Sequence, residues 1–141
     1  MAGDLTAIIT ALKARMTALG FVQADAVFDF DTVPDSIIDK AYRLETRLLT
    51  NDYGLGQRAM TVESVEIFIA YSLERASVTT WEEALDDRER IEKDIVNNAT
   101  VAALAQAPIL TLNQEAAALK YLEQYLVSKV VFRCDYIRSL A

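Results

Sequence analysis

Apolar and polar residues alternate with a period of two over Ala41–Leu48, where Tyr42, Leu44, Thr46 and Leu48 stand against Arg43, Glu45 and Arg47. A second alternating stretch sets Val65, Ile67, Ile69, Tyr71 and Leu73 against Ser64, Glu66, Phe68, Ala70 and Ser72. Period two marks a strand with one face buried. The pair therefore predicts strand, connection, strand. The connection, Leu49–Thr61, reads as a loop about three times longer than a tight hairpin needs, and it contains Gly54 and Gly56. Excess loop on a rigid sheet usually carries function or an interface. Its contact candidates are Asp52, Tyr53, Leu55, Gln57, Arg58 and Met60, and the loop is expected to be mobile in the free subunit.

The period changes to that of a helix over 4–19, where Leu5, Ile8, Ile9, Leu12, Met16 and Leu19 share one face. Asp4 is placed to cap its start, Gly20 to supply a left-handed C-cap, and Phe21 to fold back on the last turn. Residues 21–30 read as a short strand or extended entry. Asp31–Asp39, with Pro34, reads as an irregular link with a short helical turn at Asp35–Asp39. Ser77–Thr80 reads as a boundary before a second helix over 80–97. Both Thr79-x-x-Glu82 and Thr80-x-x-Glu83 fit a capping box there. Trp81, Ala84, Leu85, Arg88, Ile91 and Ile95 form its apolar stripe, while Glu82, Glu83, Asp86 and Asp87 fall on the wet side. Asp86–Arg90 and Glu89–Lys93 have the spacing of supporting ion pairs.

Asn97-Asn98 ends the second helix, and Ala99–Ala107 fits a helical turn or a loop. Alternation returns near the C-terminus. Leu119, Tyr121 and Tyr125 are placed on a shared face, though residues 115–126 also fit a helical period. Val130, Phe132, Cys134 and Tyr136 oppose Lys129, Arg133 and Asp135. The order of elements predicts one α+β domain over 1–141. Its sheet is mostly antiparallel, with two principal amphipathic helices packed on one face.

Composition narrows the function. The chain has 141 residues, a formal charge of −7, one cysteine and no histidine. Acidity disfavours specific binding to nucleic acid but suits a surface that nucleic acid passes without sticking. The absence of histidine removes the commonest general base, the Ser-His and Cys-His nucleophile systems, and most zinc sites. A lone Cys134 in an apolar pattern reads as a core residue and points to assembly in a reducing compartment. The first residues lack a basic region followed by an apolar block, so no signal peptide is expected, and no apolar run reaches membrane-spanning length.

Three chemical motifs fail on context. Gly54-x-Gly56-x-x-Ala59 has the letters of a dinucleotide fingerprint, but it opens a strand where the fingerprint must open a helix. Asp29, Asp31, Asp35 and Asp39 resemble a calcium loop, yet Pro34 stands where glycine is required and Lys40 where the bidentate Glu belongs. Glu82, Glu83, Asp86 and Asp87 read as a solvated helix face, not as paired catalytic carboxylates. No catalytic residue, cofactor or metal site is expected. Arg43 and Arg47 on one strand and Lys129 and Arg133 on another read as a wet sheet face, or as a subunit interface where charge sets register. Phe68 on that otherwise polar side, with Leu55 and Met60 in the loop, favours the interface.

With these elements in order, the chain resembles the tail terminators of long, non-contractile-tailed bacteriophages, the lambda-like family. The resemblance is one of layout over nearly the whole chain. It runs from the helix LTAIITALKARMTALG through FDFDTVPDSIIDKAYRLE into a strand and long hairpin loop. The strand VEIFIAY, the acidic helix TWEEALDDRERIEKDIVNN and the final strand KVVFRCDYI follow. It implies a non-enzymatic homo-hexameric ring on the last ring of the tail tube, which stops polymerisation and joins the tube to the head–tail connector protein. DNA would cross its lumen without specific binding. The protein would belong to the virion tail, assembled in the host cytoplasm, with no membrane partner. Neck and tail-completion proteins share much of this layout. A small cellular α+β adaptor or binding domain, or an enzyme, are the rival classes.

Overall fold

A computed structural model describes residues 5–29, 33–34, 37–54, 56–73, 77–97, 110–122 and 124–139, those at 58, 77, 96–97, 110–117 and 137–139 through the backbone alone. In chain order the elements are α1 (Leu5–Ala18), β1 (Val22–Gln23), β2 (Ala41–Asp52), β3 (Arg58–Ser72), α2 (Ser77–Asn97), β4 (Leu110–Leu122) and β5 (Tyr125–Ser139). The fold is α+β. Among the described residues the sheet has five strands in the order β1-β2-β3-β5-β4, antiparallel except where β1 runs parallel to β2.

The first helix forms on its expected face. Ile8, Leu12 and Met16 are fully buried, and Leu5, Ile9 and Leu19 pack at the edge of the same core. Its end is a Schellman motif. The Phe21 amide donates to the Met16 carbonyl and the Gly20 amide to the Thr17 carbonyl, both at 3.1 Å. Gly20 takes φ +96°, which a side chain would strain, and Phe21 tucks into the core. The second helix holds this end in place: Arg90 donates to the Leu19 carbonyl at 2.7 Å, a cation at a helix C-terminus. Arg15 grips Asp94 with two bonds of 2.8 Å.

Both helices lie on one face of the sheet. Val65, Ile67, Ile69 and Tyr71 of β3, and Leu126, Val130, Phe132, Cys134 and Tyr136 of β5, are buried there beneath Ile8, Leu12, Met16, Ala84, Ile91 and Ile95. Each such large aliphatic side chain contributes about 1.5–3 kcal/mol by leaving water. The opposite, far face is half covered by the chain itself. Residues after β1 cross over it, and Phe28 and Ile37 bury Ala41, Phe68, Ala70, Tyr125 and Val127. The Tyr125 hydroxyl donates to the Ile37 carbonyl at 2.9 Å. Asp39 accepts the Ser72 amide at 2.8 Å, which gives that acidic residue a structural partner.

Several expectations are corrected. Leu49–Thr61 is not a long loop. Strands continue through Asp52 and resume at Arg58, so the connection is Tyr53–Gln57, within ordinary hairpin length. The alternation lapses at Leu49 because Leu49 is a β-bulge: Leu48 pairs with Glu63 and Thr50 with Val62. One extra residue reverses which side chains face which side. The helices leave the outer half of β2 uncovered, so Thr46 and Leu48 are exposed despite their place in the pattern. Ser77–Thr80 is the first turn of α2, not a boundary, so Thr79 and Thr80 lie within the helix and not at its N-cap, and Thr80 is fully buried. Trp81 is 42% exposed at that end. β4 and β5 pair antiparallel, so Leu119 packs at the edge of the helical-face core while Tyr125 joins the far-face cluster. The expected cap Asp4 and the alternatives for Ala99–Ala107 lie outside the described residues.

The Arg15–Asp94 pair predicts a pH signature. The hydrogen bond from Arg15 holds the Asp94 carboxyl below its ordinary 3.8, against an opposing effect of burial. Its contribution is therefore present above the carboxylate range of the unfolded chain and is lost as pH falls through the lower folded value. Asp94→Asn should lower the melting temperature at neutral pH, and the gap to wild type should narrow in acid below 3.8. An equal gap at both pH values would remove this pair from the acid dependence.

Candidate functional site

The hairpin tip is built outward from a fixed base. Ala59 and Thr61 are fully buried, and β3 pairs with β5 down to Arg58↔Ser139. The tip thus stands on the centre of the sheet and is not a detached arm. Thr61 donates to the Asn51 side-chain carbonyl at 2.8 Å, and the Asn51 amide donates to the Tyr53 hydroxyl at 2.6 Å. This relay runs from the buried strand to a ring that is 60% exposed. Asp52 closes the turn by accepting the Gly54 amide at 2.9 Å. Gly56 takes φ +75°, a conformation that favours glycine. Gln57 is exposed, and Met60, 40% exposed, pairs across from Asp52 on the far face. Arg58 enters through its backbone alone, and Leu55 lies outside the described residues. The structure therefore brings Asp52, Tyr53, Gln57 and Met60 to one end of the sheet on a hydrogen-bonded turn. Gly54 and Gly56 belong to that turn and lead into β3, with no helix N-terminus to receive a phosphate.

The charged residues share the far face. Arg43 pairs with Glu45 at 3.1 Å, Arg133 with Asp135 at 2.9 Å, and Lys129 with Glu66 at 3.6 Å. These partly exposed pairs contribute little to stability, but they fix a pattern of alternating charge. Phe68 does not present itself to a partner. It is 3% exposed, under Phe28 and Ile37, with Arg43 and Lys129 over its ring at 5.9 and 5.8 Å from the centroid. Its apolar character on a polar strand face is explained within the chain by burial and two cation–π contacts. Arg47 and Arg133 remain exposed.

The sequence reading missed a buried polar cluster at the opposite end of the sheet. Asp87 is 2% exposed, not on a wet face. It accepts the Tyr71 hydroxyl at 2.9 Å, with Lys40 Nζ at 3.6 Å and Arg90 at 3.4 Å. Lys40 also meets Glu83 at 2.7 Å and lies over the Phe21 ring. Burial pulls the Lys40 ammonium down, but Glu83 and Asp87 outweigh it and leave it raised. Burial, then the Asp87 charge, pushes the Tyr71 hydroxyl far above its usual range, so it stays a donor. Lys40 carries φ +62°, a left-handed backbone costing about 1–3 kcal/mol outside glycine. Its amide donates to the Ala70 carbonyl at 2.8 Å, so backbone and ammonium both tie it down. Thr80, Ala84, Asp87, Ile91 and Ile95 form the inward stripe. Their helical spacing was the available signal, hidden because two of the five are polar.

The remaining chemistry is sparse. Burial first, then Glu63 and Asp135, pushes the Cys134 thiol up to about 12, which leaves it unreactive. Among the described residues no group of three or more His, Cys, Asp or Glu is arranged to hold a metal ion. No described helix is long and apolar enough to cross a membrane. A recess of about 200 Å³ lies beside β1, lined by Val22, Gln23, Ala24, Asp25, Ile37, Ile38 and Ala41. In comparison with known proteins, no family model and no curated sequence matches the chain.

The buried cluster yields a stability prediction. Tyr71→Phe removes the hydroxyl that Asp87 accepts from within the protein. Urea unfolding should show a loss of about 1.5–3 kcal/mol, the range for a hydrogen bond to a charged group. A loss under about 0.5 kcal/mol would mean that Lys40 and Arg90 alone satisfy the carboxylate.

Proposed function

We propose that this protein is a non-enzymatic structural component of a phage tail. Copies form a homo-hexameric ring that caps the tail tube, stops its polymerisation and joins it to the head–tail connector. The observation that carries this reading is the hairpin tip. An exposed aromatic, held by a hydrogen-bond relay to the central strand β3, and an exposed methionine sit at one end of a long sheet. A contact surface fixed before binding loses little ordering entropy on docking. The tip would meet the tube ring through Asp52, Tyr53, Gln57 and Met60, with Leu55 and Arg58 from the same segment. The far-face charges Arg43, Arg47, Lys129 and Arg133 would meet a neighbouring subunit. A heterologous contact of that kind closes into a ring when its rotation closes. The acidic chain suits a lumen through which DNA moves without binding.

The recess beside β1 favours a second reading, a small cellular α+β binding domain. Its volume of about 200 Å³ falls short of a typical ligand pocket.

The double variant Tyr53→Ser with Met60→Ser separates the readings. Both side chains are exposed, so the melting temperature should stay within a few degrees of wild type. Tubes of the same phage's tube protein, assembled with the variant and viewed by electron microscopy, should run on to uncontrolled length. Tubes of normal length would refute the tip as the docking element.

A further inference from the structure

Among the described residues the outer edge of β2 is open for most of its length. Beside it, β1 pairs only with Ala41 and Tyr42, and among the described residues no strand continues beyond them. The Lys40 and Tyr42 carbonyls accept from Val22 and Ala24 of the neighbouring segment, at 3.3 and 2.8 Å. In a regular strand alternate residues point the same way. The backbone groups of Leu44, Thr46 and Leu48 therefore point outward, while Arg43, Glu45 and Arg47 pair inward with Phe68, Glu66 and Ser64. An open edge of this kind is a template for another strand.

The five residues along it, Leu44-Glu45-Thr46-Arg47-Leu48, are self-complementary under reversal. We propose that this edge pairs antiparallel with the same edge of a second copy of the chain, about a two-fold axis at Thr46. In that register Thr46 faces Thr46 of the partner subunit, and Leu44 faces the partner's Leu48 on the helical side. Glu45 faces the partner's Arg47 on the far side. The hydrogen-bonding parity agrees. Outward-pointing Leu44, Thr46 and Leu48 fall in the hydrogen-bonded pairs. Glu45 and Arg47 fall in the closer non-bonded pairs, where cross-strand side chains interact most.

Exposure fits this occupant. Leu48 is 52% exposed, apolar surface that the partner strand would cover. The Glu45 side chain is 50% exposed beside Arg43, which leaves it room for a second guanidinium. Two charge pairs form at once because the contact is isologous, and a one-residue slip would lose both. The regular edge ends at the Leu49 bulge, which fixes the length of the ladder. The proposal does not rest on the tail reading, because it concerns a contact that closes at two copies, although both draw on Arg47.

Sedimentation of the full chain over a micromolar concentration series tests it. Wild type should show a monomer–dimer equilibrium. Thr46→Pro removes an amide that points away from β3, so the subunit keeps its own ladder. Two symmetry-related donors vanish from the contact, and the dissociation constant should rise at least about tenfold. Glu45→Arg alone should also abolish the dimer, and Glu45→Arg with Arg47→Glu should restore it, since the swap preserves the cross-strand pairs. Oxidised Thr46→Cys should give a covalent dimer, because a hydrogen-bonded antiparallel pair brings Cα atoms to about 5.5 Å, within disulfide reach. A strict monomer throughout the series would overturn the proposal. So would a dimer unaffected by Thr46→Pro, or a swapped pair that fails to re-associate while its melting temperature stays that of wild type.

Discussion

β3 and β5 pair antiparallel without a break, from Arg58↔Ser139 at one end to Ser72↔Tyr125 at the other. That register decides which side chains meet the helices and which meet the far face. A shift by one residue would send Val65, Ile67, Ile69 and Tyr71 away from the core together. Irregularity is confined to the flanking strands. One register shift falls between Leu48 and Thr50 of β2, the other between Gln114 and Ala116 of β4. An outer strand can absorb an extra residue because only one neighbour must follow it. In β2 the bulge brings Asn51 opposite Thr61, and from there the relay to Tyr53 becomes possible.

The two ends of the sheet are secured by different chemistry. At one end Tyr71, Asp87, Lys40 and Glu83 tie the second helix to the entry of β2. A carboxylate as buried as Asp87 is costly unless its lone pairs are filled, and a hydroxyl with two nearby cations fill them. Lys40 keeps its left-handed backbone because its amide, carbonyl and ammonium all have partners. At the other end the turn is held by Asp52 and Gly56, and Tyr53, Gly54, Gly56 and Gln57 face solvent. Both helices and the crossing segment leave that end open, so docking there need not disturb the core.

What could be read from the sequence followed local periodicity. The first helix was legible because Ile8, Leu12 and Met16 repeat on one face and Gly20 marks its end. Val130, Phe132, Cys134 and Tyr136 were legible by their period of two. Errors arose where a non-local contact decided the outcome. Leu49 breaks the alternation, so a paired strand read as loop. Asp87 is polar, so its place in the inward stripe was invisible without Tyr71. Phe68 read as an interface residue because the segment bearing Phe28 covers it from far along the chain. Helix-favouring Gln114–Leu122 forms a strand because pairing with β5 overrides propensity. The sequence between Leu122 and Tyr125 carries none of the glycine, asparagine or aspartate that announces a hairpin.

A two-fold contact cannot itself build a ring, since it is satisfied when two copies have met. The edge pairing drawn through Thr46 lies in the plane of the sheet. It covers Leu48 and engages Glu45 and Arg47, but Lys129, Arg133 and Asp135 lie two strands away across β3. These far-face charges therefore stay open in the edge-paired dimer. Because the paired strands are antiparallel, the two hairpin tips point to opposite ends of the dimer. A ring built through the far-face charges would then carry its edge contacts as links to a second ring, or exchange them on assembly. The choice turns on Arg47, which serves the two-fold pair through Glu45 and stands among the charges assigned to the ring. One guanidinium cannot satisfy both contacts fully in the same subunit. Competition between the two proposed contacts would thus be concentrated at a single exposed side chain on β2.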